Sequence, residues 1–393
     1  MRRSSGVIAA VVVGVTALVV PNAGAGPLSP LPRTPGNCSP LGANIGYVAN
    51  FGDDNVLKID LNTNTVIQTI GGFSNPWGVE LNADGSLLYV NSVVSPGDPN
   101  RNDIAVMDTC TNAILEKIPT VGPGYLQVSS DHKWIYAPNL LADGLQLIDA
   151  ATGAVVRNYP TPPLTQAGVS FDQKTLWAAA MPNLVYTLDM ATGLPDGPSI
   201  DPEGILPLQF TMSQDGSKLA VADFADRVAI IDTRPGSSTY RQVTATYNTG
   251  SGSQPGISAF SPDGRYLWVG GYSGQVSVID LQNREFTCWN LRANAFGTTV
   301  SEDGKKVYLT STPNGTVVPG TGFGALALEA FKVFHPGGVV HIYDAETIYR
   351  TMTFGTTPNC SATTQSNAPE FGTIAAGNVP IAVATLNSAG HIP

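Results

Sequence analysis

The chain has 393 residues with 42 glycines and 30 prolines, and only 13% of it is charged, against about 25% in an average soluble protein. Its 20 basic and 30 acidic side chains leave a net charge of −10, with no Lys/Arg cluster. That balance argues against a nucleic acid or an anionic membrane surface as a partner.

At the start, Arg2 and Arg3 precede an apolar run from Val7 to Val20 and the small residues Ala23-Gly24-Ala25. This is the layout of a secretory signal peptide over residues 1–25, with an apolar run too short to span a bilayer. No later segment reads as a membrane span, so the sequence predicts a secreted, extracytoplasmic protein. Residues 26–44 are rich in proline and read as an extended arm.

Residues 45–393 read as one repeating array. The stretch Tyr47 to Ile70, YVANFGDDNVLKIDLNTNTVIQTI, holds three short strands separated by Gly/Asp/Asn turns. A meander of that size cannot bury its own faces and must stack on copies of itself. An Asp closes seven alternating runs: Asp60, Asp108, Asp149, Asp189, Asp232, Asp280 and Asp344. Upstream stands a turn followed by an apolar strand, as in AsnAlaAspGly at Asn82 and SerProAspGly at Ser261. A period of roughly forty residues with four strands per copy is the spacing of propeller blades. The expected fold is therefore an all-β, seven-bladed propeller with four antiparallel strands per blade. Asn378 to Asn387 reads like the first strand at Pro76 to Asn82, so the tail should complete the first blade and close the ring.

In the innermost strands one side is apolar, as at Val79, Leu81, Leu126, Val128, Phe210 and Met212. The other side carries Glu80, Tyr125, Gln127, Gln166, Gln209, Thr211 and Thr299, which the alternation directs into the channel. With Trp77 at the head of the blade-two strand, these form the expected ligand-binding set. Amides and hydroxyls orient a neutral polar ligand but supply no activated nucleophile. The Asp repeated in every blade is explained by its turn, so a catalytic acid should break the repeat. Glu80 and Glu203 are the candidate general bases, and Asp98, Asp103, Asp223 and Asp226 are other departures. In blade seven the loop between second and third strands has grown to Ser311 to Gly338. Its Ala325 to Phe334 has helical spacing, and His335 follows as a further ligand-binding candidate.

Cys38, Cys110, Cys288 and Cys360 should be oxidised in an exported chain, and three pairings are possible. Placed on the blades, Cys38 and Cys110 fall on one face of neighbouring blades. Cys288 and Cys360, each taken to follow a fourth strand, fall on the opposite face. The expected disulfides are Cys38–Cys110 and Cys288–Cys360. Zinc spacings are absent, as are hydrolase-elbow, phosphate-loop and dinucleotide motifs, and neither a metal nor a cofactor is expected.

The Tyr47 to Ile70 stretch, with the NPWGVELNADGSLLYVN that follows, resembles the YVTN family of seven-bladed β-propeller repeats. Similar repeats occur in surface-layer proteins, in lactonases of the 6-phosphogluconolactonase type and in the large subunits of periplasmic amine dehydrogenases. The resemblance implies the fold and leaves the function to the site. The expected function is a monomeric binding module for an extracellular protein, glycan or cell-envelope ligand at the channel mouth. The alternative is a lactonase-like hydrolase or an isomerase acting on a small neutral molecule under residues 311–338. A deep pocket holding an isolated carboxylate would favour the enzyme, and a shallow rim with aromatics the module.

Overall fold

Each blade is built around one carboxylate that ends its third strand. Asp60 accepts hydrogen bonds from the amides of Asn62 and Thr63 at 2.8 and 3.1 Å, Asp108 from those of Cys110 and Thr111 at 2.8 Å, and Asp280 from those of Gln282 and Asn283 at 3.0 and 3.1 Å. These bonds satisfy the tight turn into the fourth strand. The turn between first and second strands repeats as well. Ser129, Ser213 and Ser301 donate to the Asp two residues on at 2.6–2.7 Å. Gly85, Gly216, Gly264 and Gly304 then hold φ between +64° and +70°, a conformation open to glycine without a Cβ penalty.

The computed structural model describes residues 42, 44–82, 84–92, 102–120, 122, 124–129, 131–139, 144–170, 174–180, 184–204, 207–291, 293–313, 337–357, 360 and 368–385. The expected signal peptide, the expected arm up to residue 41, Cys38, Asp98, His335 and the expected helix at Ala325 to Phe334 lie outside them.

Within this set the strands form seven antiparallel sheets. The innermost strands are Pro380–Thr385, Pro76–Leu81, Gln127–Val128, Leu164–Val169, Pro207–Met212, Pro255–Phe260 and Ala293–Val300, for blades one to seven. Six sheets have four strands. Blade four has three, its fourth position held by the isolated bridges Val185↔Ile200 and Leu188↔Pro195. Pro195 and Pro198 lie in that segment and lack the N–H that a regular ladder needs.

The ring closes as the sequence predicts. Tyr47 pairs with Ala384 and Val48 with Val383. Asp53 adds a clasp, accepting from the Asn378 amide at 2.9 Å and from its Nδ2 at 2.5 Å. Gly52 permits this approach, since a Cβ there would lie 2.5 Å from that of Asn378. Neighbouring blades are also tied by the aromatic of the second strand: Tyr47 donates to the Thr109 carbonyl at 3.3 Å and Tyr89 to that of Ala150 at 3.2 Å.

Blade seven departs from the plan. Asp344 caps a short helix, Ala345–Thr351, by accepting from the Thr347 amide, where the sequence predicts only a turn. The chain then crosses to blade six. Tyr349 stacks on Tyr266 at 3.7 Å and accepts a 2.9 Å bond from Trp268 Nε1, Gly355 bridges to Phe286, and Cys360 is bonded to Cys288. The expected pairing is present, but the placement behind it needs correction: Cys288 lies inside the fourth strand Glu285–Asn290, and Cys360 precedes the fourth strand Glu370–Gly377. The excursion after Asp344 follows a third strand, as Cys110's turn does, so Cys360 and Cys110 are not set on opposite faces for the reason the sequence suggests. Cys110 is itself disulfide-bonded. Among the described residues no helix is long and apolar enough to cross a membrane.

Candidate functional site

The inner strands aim their side chains through a recurring irregularity. In blades two, four, five, six and seven the register between first and second strands slips near the head of the first strand, as at a β-bulge, which re-aims side chains locally. In two blades the backbone N–H near the slip is taken by the second strand: Gly78 donates to Asn91 Oδ1 at 2.9 Å and Gly297 to Thr310 Oγ1 at 2.7 Å. Asn91 and Thr310 occupy equivalent places and in turn donate to Gly124 and Ile381 of the next blade, both at 2.9 Å.

Below this level Glu80, Tyr125, Gln127, Gln166, Gln209, Thr211 and Thr299 line one cavity, with Phe210, Ile257 and Ser258 among its other walls. All seven channel-directed residues are thus brought together. Three of them are spent on joining blades. Gln166 Oε1 accepts from the Phe210 amide at 2.9 Å, Thr211 donates to the Ser258 carbonyl at 2.6 Å, and Thr299 donates to that of Val383 at 2.8 Å. The cavity offers about 30 Å³, room for about two ordered waters and far below the roughly 300 Å³ of a small ligand pocket. Burial, reinforced by the charge of Glu80 and by Tyr272, pushes the Tyr125 phenol well above its ordinary range, so it stays a neutral donor.

Around the upper mouth, the side of the loops joining second to third strands, the walls are aromatic. Phe51 meets Trp77 edge-on at 5.8 Å, and Tyr272 contacts Phe224 at 5.7 Å and Phe296 at 5.3 Å. These residues belong to one apolar cluster, with Trp77 and Phe224 partly buried on it. Trp77 therefore sits on this patch and is not among the residues of the polar cavity. Glu203 is apart from both, exposed in a loop at φ +62° with its amide donating to Asp201. The other repeat-breaking acids hold loops together: Asp226 accepts from the amides of Gly252 and Gln254, Asp223 from that of Ala225, and Asp103 from Ser92 Oγ. Among the described residues no group of three or more His, Cys, Asp or Glu side chains is placed to hold a metal ion.

Two features escape sequence reasoning. His132 stands where other blades have the turn glycine, at φ +54°. Burial lowers its pKa against the opposing charges of Glu80, Asp131 and Asp84, so it stays neutral in the turn between first and second strands. In blade seven, Ser311, His341 and Glu370 form a hydrogen-bonded row across three adjacent strands, at 2.7 and 2.5 Å. The signal for His132 is its place in the turn motif. Sequence carries no comparable signal for the row, because long excursions separate its members.

Seven sheets around a channel, closed by the C-terminal strand, define a seven-bladed β-propeller. The comparisons agree. No protein-family model matches the chain. A 113-residue stretch is 31% identical to the seven-bladed beta-propeller protein Rv1057 of Mycobacterium tuberculosis, covering 28% of each chain. The match therefore spans little more than a quarter of that relative's length. Among solved structures, dihydro-heme d1 dehydrogenase NirN in complex with DHE superposes with a TM-score of 0.60 at 14% identity, over 92% of this chain and 79% of its own. Hydrazine synthase of Kuenenia stuttgartiensis gives 0.57 at 20% identity, over 68% and 89%. A protein of unknown function from Desulfotomaculum acetoxidans gives 0.59 at 12%, over 77% and 93%. At these identities the likeness is one of fold.

Proposed function

We propose that the protein is an extracytoplasmic binding module that takes a protein or glycan of the cell envelope on its upper rim, at the aromatic patch around Trp77 and Phe224. The observation that carries this reading is the size of the channel cavity, about 30 Å³. A lactone or comparable substrate does not fit there, and several of the polar side chains that would orient it already bond blade to blade. Half-buried aromatics on a rigid rim supply contact area at low entropic cost. The layout of residues 1–25 and the Cys288–Cys360 disulfide support an oxidising location. The structures it resembles include named enzymes, but at under 25% identity they bring no chemistry to this chain.

Sedimentation with isolated cell-envelope fragments tests it. The mature protein should co-sediment, Trp77→Ala/Phe224→Ala should lose at least about tenfold in affinity, as expected for aromatic anchors, and the channel variant Gln127→Leu should bind like wild type. Loss of binding in the channel variant with the rim variant unaffected would overturn the reading.

A further inference from the structure

We propose that Ser311, His341 and Glu370 form an acyl-transfer centre in blade seven, acting on small carboxylic esters with a slim acyl group. The rim reading plays no part in it. Ser311 lies in the buried part of the second strand, His341 in the third, and Glu370 opens the fourth. Ser311 pairs with Val339 and His341 with Leu309 and Thr373, which puts Ser311 and His341 diagonally on one face of the sheet.

The row has a direction. A carboxylate can only accept, so the short contact between Glu370 Oε1 and His341 Nδ1 places the imidazole proton on Nδ1. Nε2 is then the acceptor, and the 2.7 Å partner it faces is the Ser311 hydroxyl. That is the polarity of an activated serine nucleophile: a base beside the hydroxyl and an acid behind the base. The imidazole plane is also held from the side. Tyr343 lies parallel to it at 6.2 Å, and the Tyr343 hydroxyl is itself fixed by a 3.3 Å bond from Trp289 Nε1.

In the reaction, Ser311 Oγ bonds to the ester carbonyl carbon while its proton passes to His341 Nε2. The ester C–O bond breaks, and the departing alkoxide takes that proton. Water then attacks the acyl-serine, gives a proton to His341 and releases the acid, and the proton returns to Ser311 Oγ. Ser311 is only 2% exposed and its partner across the ladder is the small Ala295, so the acyl group is taken to be the smallest, acetyl. Glu370, 37% exposed against 14% for His341, shares its charge with solvent, and turnover should be slow.

The full mature chain with its disulfides intact is treated with p-nitrophenyl acetate and the acetylated peptide is mapped by mass spectrometry. Acetylation is expected at Ser311. It should vanish in Ser311→Ala, fall about a hundredfold in His341→Ala, the contribution of a positioned base, and recover partly when free imidazole is added to that variant. Glu370→Gln should slow it by a smaller factor. Acetylation should also exceed the rate with the butyrate ester, while Ser92→Ala behaves like wild type. Thermal melts confirm that each variant is folded; should His341→Ala fail to fold, His341→Gln takes its place. Label only at other residues, or an unchanged rate at Ser311 in the folded His341 variant, would overturn the proposal.

Discussion

Blades two and seven place a serine at the same point, the fifth residue of a LeuTyrValAsnSer or ValTyrLeuThrSer run, and give it different partners. In blade two, Ser92 donates to Asp103 at 2.9 Å, and Asp103 also faces Lys117 at 3.6 Å. The Asp103 carboxylate is shared between a hydroxyl and an ammonium group, so this row is a structural tie. In blade seven the serine meets an imidazole backed by a carboxylate, which puts a base within reach of the hydroxyl proton. The backbone repeat supplies the place for a polar row on every blade. Chemistry depends on which acceptor stands second in it.

The two blades also differ in what supports them, and this gives the largest expected effect. Blade seven is clamped to blade six by a disulfide that closes a separation of 72 residues, worth about 4 kcal/mol on a loop-entropy basis. Cys288→Ser/Cys360→Ser should lower unfolding free energy in guanidinium by about that amount. Hydrogen exchange should then show lost protection across Gly338–Asp344 well before Asp103–Asp108. Equal loss in both strands would mean that the blades do not differ in support, and the contrast between them would fail at its root.

The repeat was legible because its determinants are local. An Asp two or three residues from the amides it accepts, or a glycine at positive φ, is written in adjacent letters. Alternation with a period of two likewise identifies the seven polar residues from Glu80 to Thr299 that are expected to line the cavity and do. What stayed hidden depends on distance and on volume. That Gln166, Thr211 and Thr299 serve as ties between blades rests on the close approach of separate strands. The helix after Asp344 reads as one more turn, because its real partners, Tyr266 and Trp268, are more than 70 residues upstream. The serine row needs the register of three strands separated by two excursions, and no spacing rule supplies that.

Removing the acid from each row sharpens the contrast and should cost less than the disulfide. Asp103 is 6% exposed, and Asp103→Asn leaves Lys117 without its counter-charge and removes a charge-assisted acceptor, a loss of about 1.5–3 kcal/mol. Glu370 is far more exposed, and Glu370→Gln should cost no more than about 1 kcal/mol. The order should reverse for acetylation of Ser311, which only the Glu370 variant slows. Denaturant midpoints and labelling rates measured on the same two proteins check both halves. If Glu370→Gln is the more damaging to stability and leaves labelling untouched, the blade-seven row is a tie like its counterpart.

The smallest effect comes from the serines. Ser92→Ala and Ser311→Ala each remove one hydrogen bond from a buried hydroxyl, and each should cost about 1 kcal/mol. Near-equal stability losses are the outcome that makes the comparison useful, because they show that both hydroxyls are ordinary structural donors when the protein is only folding. Any difference in reactivity toward the aryl ester then belongs to the second residue of the row. A stability loss for Ser311→Ala several times that for Ser92→Ala would instead place the short Ser311–His341 contact among the bonds that hold blade seven together, and its reactivity would lose its physical basis.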